Sequence, residues 1–357
     1  MRIGFRRTAL AAATLGIAVT TMGSPTVGAA ATSTAATTGR TITMTPYDNL
    51  STEMASLRAG DTLLLAPGTY TVHIVQPVLH HGTSTAPITM RAADPAHEPV
   101  ILGNLRMWGP TYWVLEYLRM RSIDPQTDTL DMIGGAYWKV LNSEIFGTRW
   151  TGGLTNVSID TDSRTGTGSP RGFLFQGNCV HDAARDDATN TDHNIYVNFQ
   201  GNSGTSGVIN RNIIYGHPNG EGIKLGDGGL ATTRGAWHVR VTHNTIAEGG
   251  RQILLTGDVR YNTIAGNLLE ISTAPFHDNP RTTLVYVNKV GNSTNIAGVN
   301  YGFHASMFSW GQTMRLAPGN GLRPDPQFSS LGCSGFHPTY AKAMPYGRWG
   351  TGPWPVW

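Results

Sequence analysis

The stretch "THNTI", residues 242–246, decides the fold, because close variants of it recur along the chain. The variants are "QGNCV" (176–180), "NRNII" (210–214) and "AGNLL" (265–269). They place an asparagine, followed two residues later by an apolar residue, at Asn178, Asn212, Asn244 and Asn267. Asn142, in "LNSEI", is a candidate for the first member. Coils of about 22 to 25 residues fit the rungs of a parallel β-helix, in which equivalent residues stack at roughly 4.8 Å.

The rest of the composition favours the same fold. With 44 glycines and 20 prolines, the chain interrupts helical periodicity throughout, and short β-branched runs such as "NIYVNF" and "RQILLTG" recur instead. "YW" occurs at 112–113 and again at 137–138, one coil apart. We therefore predict an all-β, single-stranded right-handed parallel β-helix with an N-terminal cap and an irregular C-terminal tail. Because "NTIA" starts at both 244 and 262, the register after Thr256 stays open.

The N-terminus predicts export. Arg2, Arg6 and Arg7 precede an apolar, alanine-rich run, and the small residues 28–31 provide a cleavage site, so residues 1–30 are predicted to be a secretory signal peptide. Residues 31–40 form a Thr/Ala-rich linker, 41–345 the β-helix domain and 346–357 an aromatic tail. The mature protein is expected to be secreted.

Charge and cysteine content limit the partners. The formal charge of +3 includes the three arginines of the signal segment, which carries no acid, so the mature part is near neutral. The chain has no general excess of positive charge that would attract nucleic acid or a membrane surface. A monomer is expected. An oxidising location permits a bond between Cys179 and Cys333, but the sequence leaves it undecided.

One of the chain's four lysines, Lys224, lies in the glycine-rich stretch "GEGIKLGDGG", residues 220–229. Aligning "HNIYV", "EGIKL" and "RQILL" stacks two sets of apolar residues inward: Ile195, Ile223 and Ile253, and Val197, Leu225 and Leu255. Strand alternation then points Tyr196, Lys224 and Leu254 outward. His193, Glu221 and Arg251 come two residues before the isoleucines, one per coil, and are predicted to lie beside them.

Two long loops flank this patch. Residues 181–193 carry four aspartates, and residues 226–238 carry an acid, a cation and aromatic rings. Long loops on one side of a solenoid commonly form the walls of a binding groove. Arg234, Trp237 and His238 are therefore candidates for substrate binding, and Asp186, Asp187, Asp192 and Glu221 for a metal site.

Three further segments carry a family resemblance: "GDTLLLAPGTYT" (60–71), "YWVLEYLRM" (112–120), and "RPDPQF" with "FHP" between 323 and 338. Over about residues 41–345 the chain resembles right-handed parallel β-helix proteins of the pectate-lyase-like superfamily. The resemblance implies a carbohydrate-active protein, most readily a lyase. Similar lyases use a Lys or Arg base, often with calcium, and in one subgroup the glutamate-rich strand before the base is similar to "GEGIKLG".

β-Elimination on an acidic, uronate-containing polysaccharide assigns a role to each candidate. Lys224 is the base if its neighbours or burial lower its pKa, and Arg251 clamps the C6 carboxylate. Tyr196 or His193 passes a proton to the leaving oxygen. The carboxylates of the metal set are candidates for holding Ca²⁺, a hard cation that prefers oxygen ligands.

Other functions stay open. An outward lysine such as Lys224 is most often a solubilising strand residue, and Glu221 with Arg251 can be a simple ladder ion pair. A glycoside hydrolase needs two carboxylates at a fixed separation, but "DD" at 186–187 and "NTD" at 190–192 share one loop. A uronate epimerase shares the first half of the lyase chemistry. A glycan-binding or structural β-helix needs no cluster, so convergence of the 193, 221, 224 and 251 side chains separates these hypotheses.

Overall fold

The computed structural model describes residues 39–75, 79–123, 127–148, 155–183, 192–227, 235–271, 283–288, 294–311 and 314–351. All of these lie in one compact unit. The predicted signal peptide, most of the linker and residues 352–357 of the tail fall outside the described residues. Across the described ranges, no helix is long and apolar enough to cross a membrane.

The first sheet takes one strand from each coil, in chain order, and its neighbours are parallel. Its strands are β1 (Thr41–Met44), β2 (Thr62–Leu65), β4 (Ile88–Ala92), β6 (Trp113–Glu116), β9 (Lys139–Leu141), β12 (Phe173–Gln176), β15 (Gly207–Asn210), β18 (Val239–Thr242), β20 (Thr263–Ala265), β23 (Ile296–Ala297) and β26 (Arg315–Leu316). The repeated "YW" is in register here, with the Tyr112 and Tyr137 rings stacked at 4.9 Å.

The second sheet, also parallel, combines two strands from most coils. Its strands are β3 (Thr69–Val75), β5 (Val100–Trp108), β7 (Arg119–Arg121), β8 (Leu130–Ile133), β10 (Glu144–Phe146), β11 (Thr155–Asp160), β13 (Cys179–His181), β14 (His193–Asn198), β16 (Ile213–Tyr215), β17 (His217–Leu225), β19 (Thr245–Thr256), β21 (Leu268–Ile271), β22 (Thr283–Asn288), β24 (Tyr301–Phe303), β25 (Met307–Gly311) and β27 (Gly321–Leu322). The described chain is thus a parallel β-helix, as predicted.

The N-terminal end of the solenoid is capped by the helix α1 (Leu50–Ser56). Asn49 caps this helix, since its side chain accepts the backbone N–H of Thr52 at 3.0 Å. Leu50 and Met54 are buried and belong to the apolar core that runs through the coils. The cap therefore covers apolar surface that the first coil would otherwise expose to water.

A column of buried asparagines marks the corner between the two sheets. The four predicted members lie in it: Asn178, Asn212, Asn244 and Asn267. Each side-chain oxygen accepts the backbone and side-chain N–H groups of the member one coil earlier, as Asn244 does from Asn212 at 3.0 and 2.8 Å. The column continues to Asn300 and Asn320.

Two sequence predictions about this column are settled. The prediction that Asn142 begins it was wrong, because Ser143 occupies the position and its backbone N–H donates to Asn178 at 3.0 Å. Asn142 is exposed at φ 47°, in the left-handed region that asparagine tolerates. The second "NTIA" belongs to another corner, where Asn262 donates to Asn295. The two copies therefore do not compete for one register.

The C-terminal segment, residues 325–351, packs against the corner formed by the asparagine column. Cys179 and Cys333 form a disulfide with a Cα–Cα distance of 5.4 Å, which decides the question that the sequence left open. Arg348 donates to the carbonyl of Gly177 at 2.7 Å, and Gly347 donates to that of Gly266 at 2.9 Å. The described part of the aromatic tail is therefore packed against the solenoid.

Candidate functional site

The predicted cluster lies on three neighbouring strands, β14, β17 and β19. The predicted register is confirmed: Tyr196 pairs with Lys224, Glu221 with Arg251, and Ile223 with both Ile195 and Ile253. The three isoleucines are fully buried, so Tyr196, Lys224 and Leu254, which follow them, point away from the core. Tyr196 and Lys224 are partly exposed, whereas Leu254, in register with Lys224, is covered.

The glycines of "GEGIKLG" serve close packing of these coils. A Cβ at Gly220 would lie 1.5 Å from the carbonyl oxygen of Asp192 in the preceding coil. A Cβ at Gly222 would lie 2.4 Å from a methyl group of Ile246. Since real Cβ atoms do not approach so closely, both positions require glycine, and the strand that carries Glu221 and Lys224 is fixed by its neighbours.

Glu221 lies at the centre of a buried ionic group. Its Oε2 is 2.7 Å from Nδ1 of His193, and its Oε1 forms a close ion pair with the Arg251 guanidinium. The exposed fractions of the three side chains are 3% for His193, 0% for Glu221 and 8% for Arg251. Burial by itself raises the pKa of Glu221, but His193 and Arg251 outweigh it and the pKa falls to about 2. Glu221 is therefore a carboxylate at neutral pH.

Lys224 joins this group through His193. Its Nζ lies 3.3 Å from Nε2 of His193 and 4.3 Å from the centroid of the Tyr196 ring. Burial lowers the pKa of His193, so the imidazole is neutral at neutral pH. Nδ1 of His193 lies 2.7 Å from Oε2 of Glu221 and 3.2 Å from its backbone nitrogen, and Nε2 faces the lysine amine. Carboxylate, imidazole and amine thus form one chain of contacts that ends at the partly exposed Lys224.

Arg251 is held differently from the sequence prediction. Its guanidinium pairs with Glu221 and lies over the ring of Tyr286, with Cζ 5.1 Å from the ring centroid. This contact with Tyr286, a residue of the next coil, was not foreseen. Because the side chain is almost wholly buried, its planar fork is directed at Glu221 and not at solvent.

A buried histidine that sequence reasoning missed lies behind Glu221. His217 occupies the space beside Gly222, where it continues an interior polar column: its Nδ1 is 3.3 Å from Nδ2 of Asn194, and its Nε2 is 3.0 Å from Oε1 of Gln252. Burial lowers its pKa to about 4. Its signal in the sequence was weak, because a register shift between His217 and Glu221 removes it from the simple coil alignment.

A carboxyl pair was also missed, on the same sheet three coils before Glu221. Asp131 pairs with Arg106 at 2.5 Å, and the side chain of Asp128 contacts Asp131 and accepts the backbone N–H of Thr155 at 2.6 Å. Burial, and then the neighbouring Asp131 charge, raise the pKa of Asp128 well above its usual value. The two carboxyls lie in direct contact, and Asp131 is 2% exposed, so the pair leaves no room for a glycosidic bond between them.

The candidates for substrate binding lie at a corner of the solenoid. Trp237 packs on Gly201, donates from Nε1 to the carbonyl of Asp258 at 2.7 Å and lies under the Arg260 guanidinium. His238 stacks on Tyr261 at 4.9 Å. These contacts place Trp237 and His238 beside Asp258, Arg260 and Tyr261, and not against the Glu221 group. Arg234 lies outside the described residues.

The predicted metal set does not fit calcium as far as it is described. Both Glu221 oxygens face positively polarised or charged nitrogen, whereas Ca²⁺ requires several oxygen ligands around one point. Asp192 is buried, and Asp186 and Asp187 lie outside the described residues. Within the described ranges, the one group of three close His, Cys, Asp or Glu ligands is Cys179, His181 and Cys333, whose cysteines are bonded together. We derive no step through a metal.

Structure comparison finds the same solenoid class among known proteins. Pectate lyase Pel9A shares 14% identity, with 81% of this chain and 79% of that chain covered, at a TM-score of 0.46. The alginate lyase from Paenibacillus sp. str. FPU-7 shares 16%, with 79% and 97% covered, at 0.37. The Dettilon tailspike protein shares 13%, with 80% and 60% covered, at 0.35. No protein-family model and no curated protein matches the sequence.

The parallel β-helix itself follows from the order of the strands in the two sheets and their parallel pairing. At such low identities the similarity concerns the fold alone. This solenoid carries several chemistries, and the function has to be argued from the side-chain cluster.

Proposed function

We propose that the protein is an exported polysaccharide lyase that cleaves a uronate-containing glycan by β-elimination. The observation that supports the proposal is the convergence of His193, Glu221, Lys224 and Arg251. A merely solubilising lysine needs no buried acid–imidazole pair behind it. A carboxylate that orients an imidazole, which in turn holds an amine at a partly exposed position, is the arrangement that a positioned base requires.

In the proposed reaction, Lys224 acts as the base in its deprotonated form and removes the proton from C5, which is acidic because it is next to the C6 carboxylate. Electrons of that C–H bond form the C4–C5 double bond, and the C4–oxygen bond breaks. Tyr196, whose ring lies against the lysine amine, donates a proton to the leaving oxygen. His193 positions the amine, because both of its ring nitrogens are already engaged.

Arg251 supplies positive charge close to the base. The buried guanidinium, oriented by Glu221, acts through its charge and favours the negative charge that develops on the substrate carboxylate. The expectation of calcium belongs to this proposal as well, and the loop that carries Asp186 and Asp187 is the candidate for it.

The test is an absorbance assay for the unsaturated product, run on polygalacturonate and alginate with calcium and with chelator. Lys224→Ala should lower the rate by at least about a hundredfold, the lower range for a general base. Lys342→Ala, an exposed lysine of the C-terminal segment, is the matched control and should keep wild-type activity.

The other outcomes each favour another function. Reducing ends without unsaturated product would establish a hydrolase, and a change in uronate configuration without cleavage would establish an epimerase. If no polymer reacts, the protein is a glycan-binding or structural β-helix and the lyase proposal is wrong.

A further inference from the structure

The outer face of the first sheet carries a concave surface, on strands separate from the Glu221 group. Lys139, Leu174, Val208, Arg240 and Thr263 occupy one register position in five consecutive coils. Arg240 lies between two fully buried valines and is itself exposed, so it points outward. We call the surface over these residues, from β9 to β20, the first-sheet trough.

Cationic and polar side chains line the trough. A cavity of about 330 Å³ lies over it, bordered by Asn210, Arg211, Arg240, Thr242, His243 and Thr263. None of the described residues that border this cavity is a carboxylate. Lys139 and Arg240 are three rungs apart in the column, which places their backbones about 14 Å from each other. Two cations, Lys139 and Arg240, are therefore spaced along the solenoid axis with apolar Leu174 and Val208 between them, and Arg211 lies beside Arg240 at the cavity.

The two edges of the trough differ in chemistry. At the edge where the strands begin lie Tyr137 and Tyr261, which are 46% and 49% exposed and are stacked on Tyr112 and His238. At the edge where the strands end lie Arg211 and His243. The tyrosines and these two residues all have φ between 54° and 58°, so the corners that display them are repeated turns of the solenoid and not irregular loops.

We propose that the first-sheet trough binds an acidic polysaccharide chain lying along the solenoid axis, and that it does so without catalysing a reaction. Arg fits a carboxylate through its planar fork, and a tyrosine rim offers apolar ring surface together with a hydroxyl to a sugar. Extended charge alone would suit any polyanion, whereas cations bordered by a row of rings suit an acidic glycan. The trough holds the polymer, and the Lys224 site lies on the other sheet.

The test measures binding of polygalacturonate at low salt by affinity electrophoresis and calorimetry, in a Lys224→Ala background so that turnover cannot interfere. Arg240→Glu and Lys139→Glu should each weaken binding by at least about tenfold. Lys342→Glu makes the same charge change on the C-terminal segment and should leave affinity unchanged. Tyr261→Ala should weaken binding of polygalacturonate but not of polyglutamate, the non-saccharide control polymer.

Several results would overturn the proposal: no binding by the parent protein, equal affinity for polyglutamate and polygalacturonate, or wild-type binding by Arg240→Glu. The lyase proposal is tested by a different experiment, so either proposal can fail without the other. Trough variants made in the chain that keeps Lys224 should still cleave short uronate oligomers at the wild-type rate, which would support both proposals. Binding by a protein that shows no lyase activity on any polymer would refute only the catalytic proposal.

Discussion

At the residue scale, the position of the cluster was predictable and its internal pairing was not. Strand alternation and one coil per repeat are enough to place Glu221, Lys224 and Arg251 side by side. They do not say which side chains the buried carboxylate contacts. In the structure Glu221 takes both His193 and Arg251, so the arginine that was expected to face substrate is mostly withdrawn from solvent.

The carboxyl pair gives a prediction for one residue. Because the pKa of Asp128 is raised in the folded state, its contribution to stability is present at low pH and is lost as pH rises through the folded pKa. Asp128→Asn mimics the protonated form, since its amide can still accept from Thr155 and donate to Asp131. The variant should match wild type near pH 4 and be more stable near pH 8, by about 1 kcal/mol or more.

Thermal unfolding at several pH values checks this prediction. Asp94→Asn is the control, because that exposed carboxylate has a pKa lowered by its contact with His97 and should gain nothing at high pH. A stability difference between Asp128→Asn and wild type that does not change with pH would contradict the assignment.

At the scale of the element, the asparagine column is the strongest signal in the sequence. The interior of the column followed from the repeat, because the short amide side chain of asparagine both donates and accepts along the stack. Its start did not, because any small hydroxyl can end the column, as Ser143 does. The interior column around His217 was also hidden, since its members are not of one residue type.

Asn244→Ala tests the energetic role of the column. The change removes the acceptor of the Asn212 backbone N–H and the donor to the carbonyl of Ile209, both of them buried. Since each unsatisfied buried group costs about 1 to 3 kcal/mol, a loss of roughly 3 kcal/mol or more is expected. Asn210→Ala, on the outward face of the same corner, should cost less than about 1 kcal/mol. Equal losses in chemical denaturation would show that the column does not carry the stability.

At the scale of the whole molecule, the solenoid class was predictable from about four short motifs, and the docking of the C-terminal segment was not. No periodicity reports a contact between residues that are 154 positions apart, such as Cys179 and Cys333. The first-sheet trough was hidden for a related reason. Its cations are separated in sequence by loops of unequal length and meet only when the coils are stacked.

Reduction of the disulfide should lower the stability of the whole chain. A bond that closes a loop of this length restricts the unfolded state strongly, and its loss is expected to cost about 4 kcal/mol. The Cys179→Ser, Cys333→Ser double variant should show the same loss, and reductant should change its unfolding no further. A wild-type protein whose unfolding is indifferent to reductant would contradict this expectation.

The same bond changes how the protein should respond to mechanical force. A solenoid gives way from its ends, because each coil is supported only by its neighbours. Force applied at the C-terminus of the chain, however, is transmitted from Cys333 through the disulfide to Cys179 in β13, and bypasses the coils between these two residues. Those coils would carry no load until the bond is cut. An unfoldase or a pulling probe that starts from the C-terminus would therefore load β13, in the middle of the chain, before the coils that follow it.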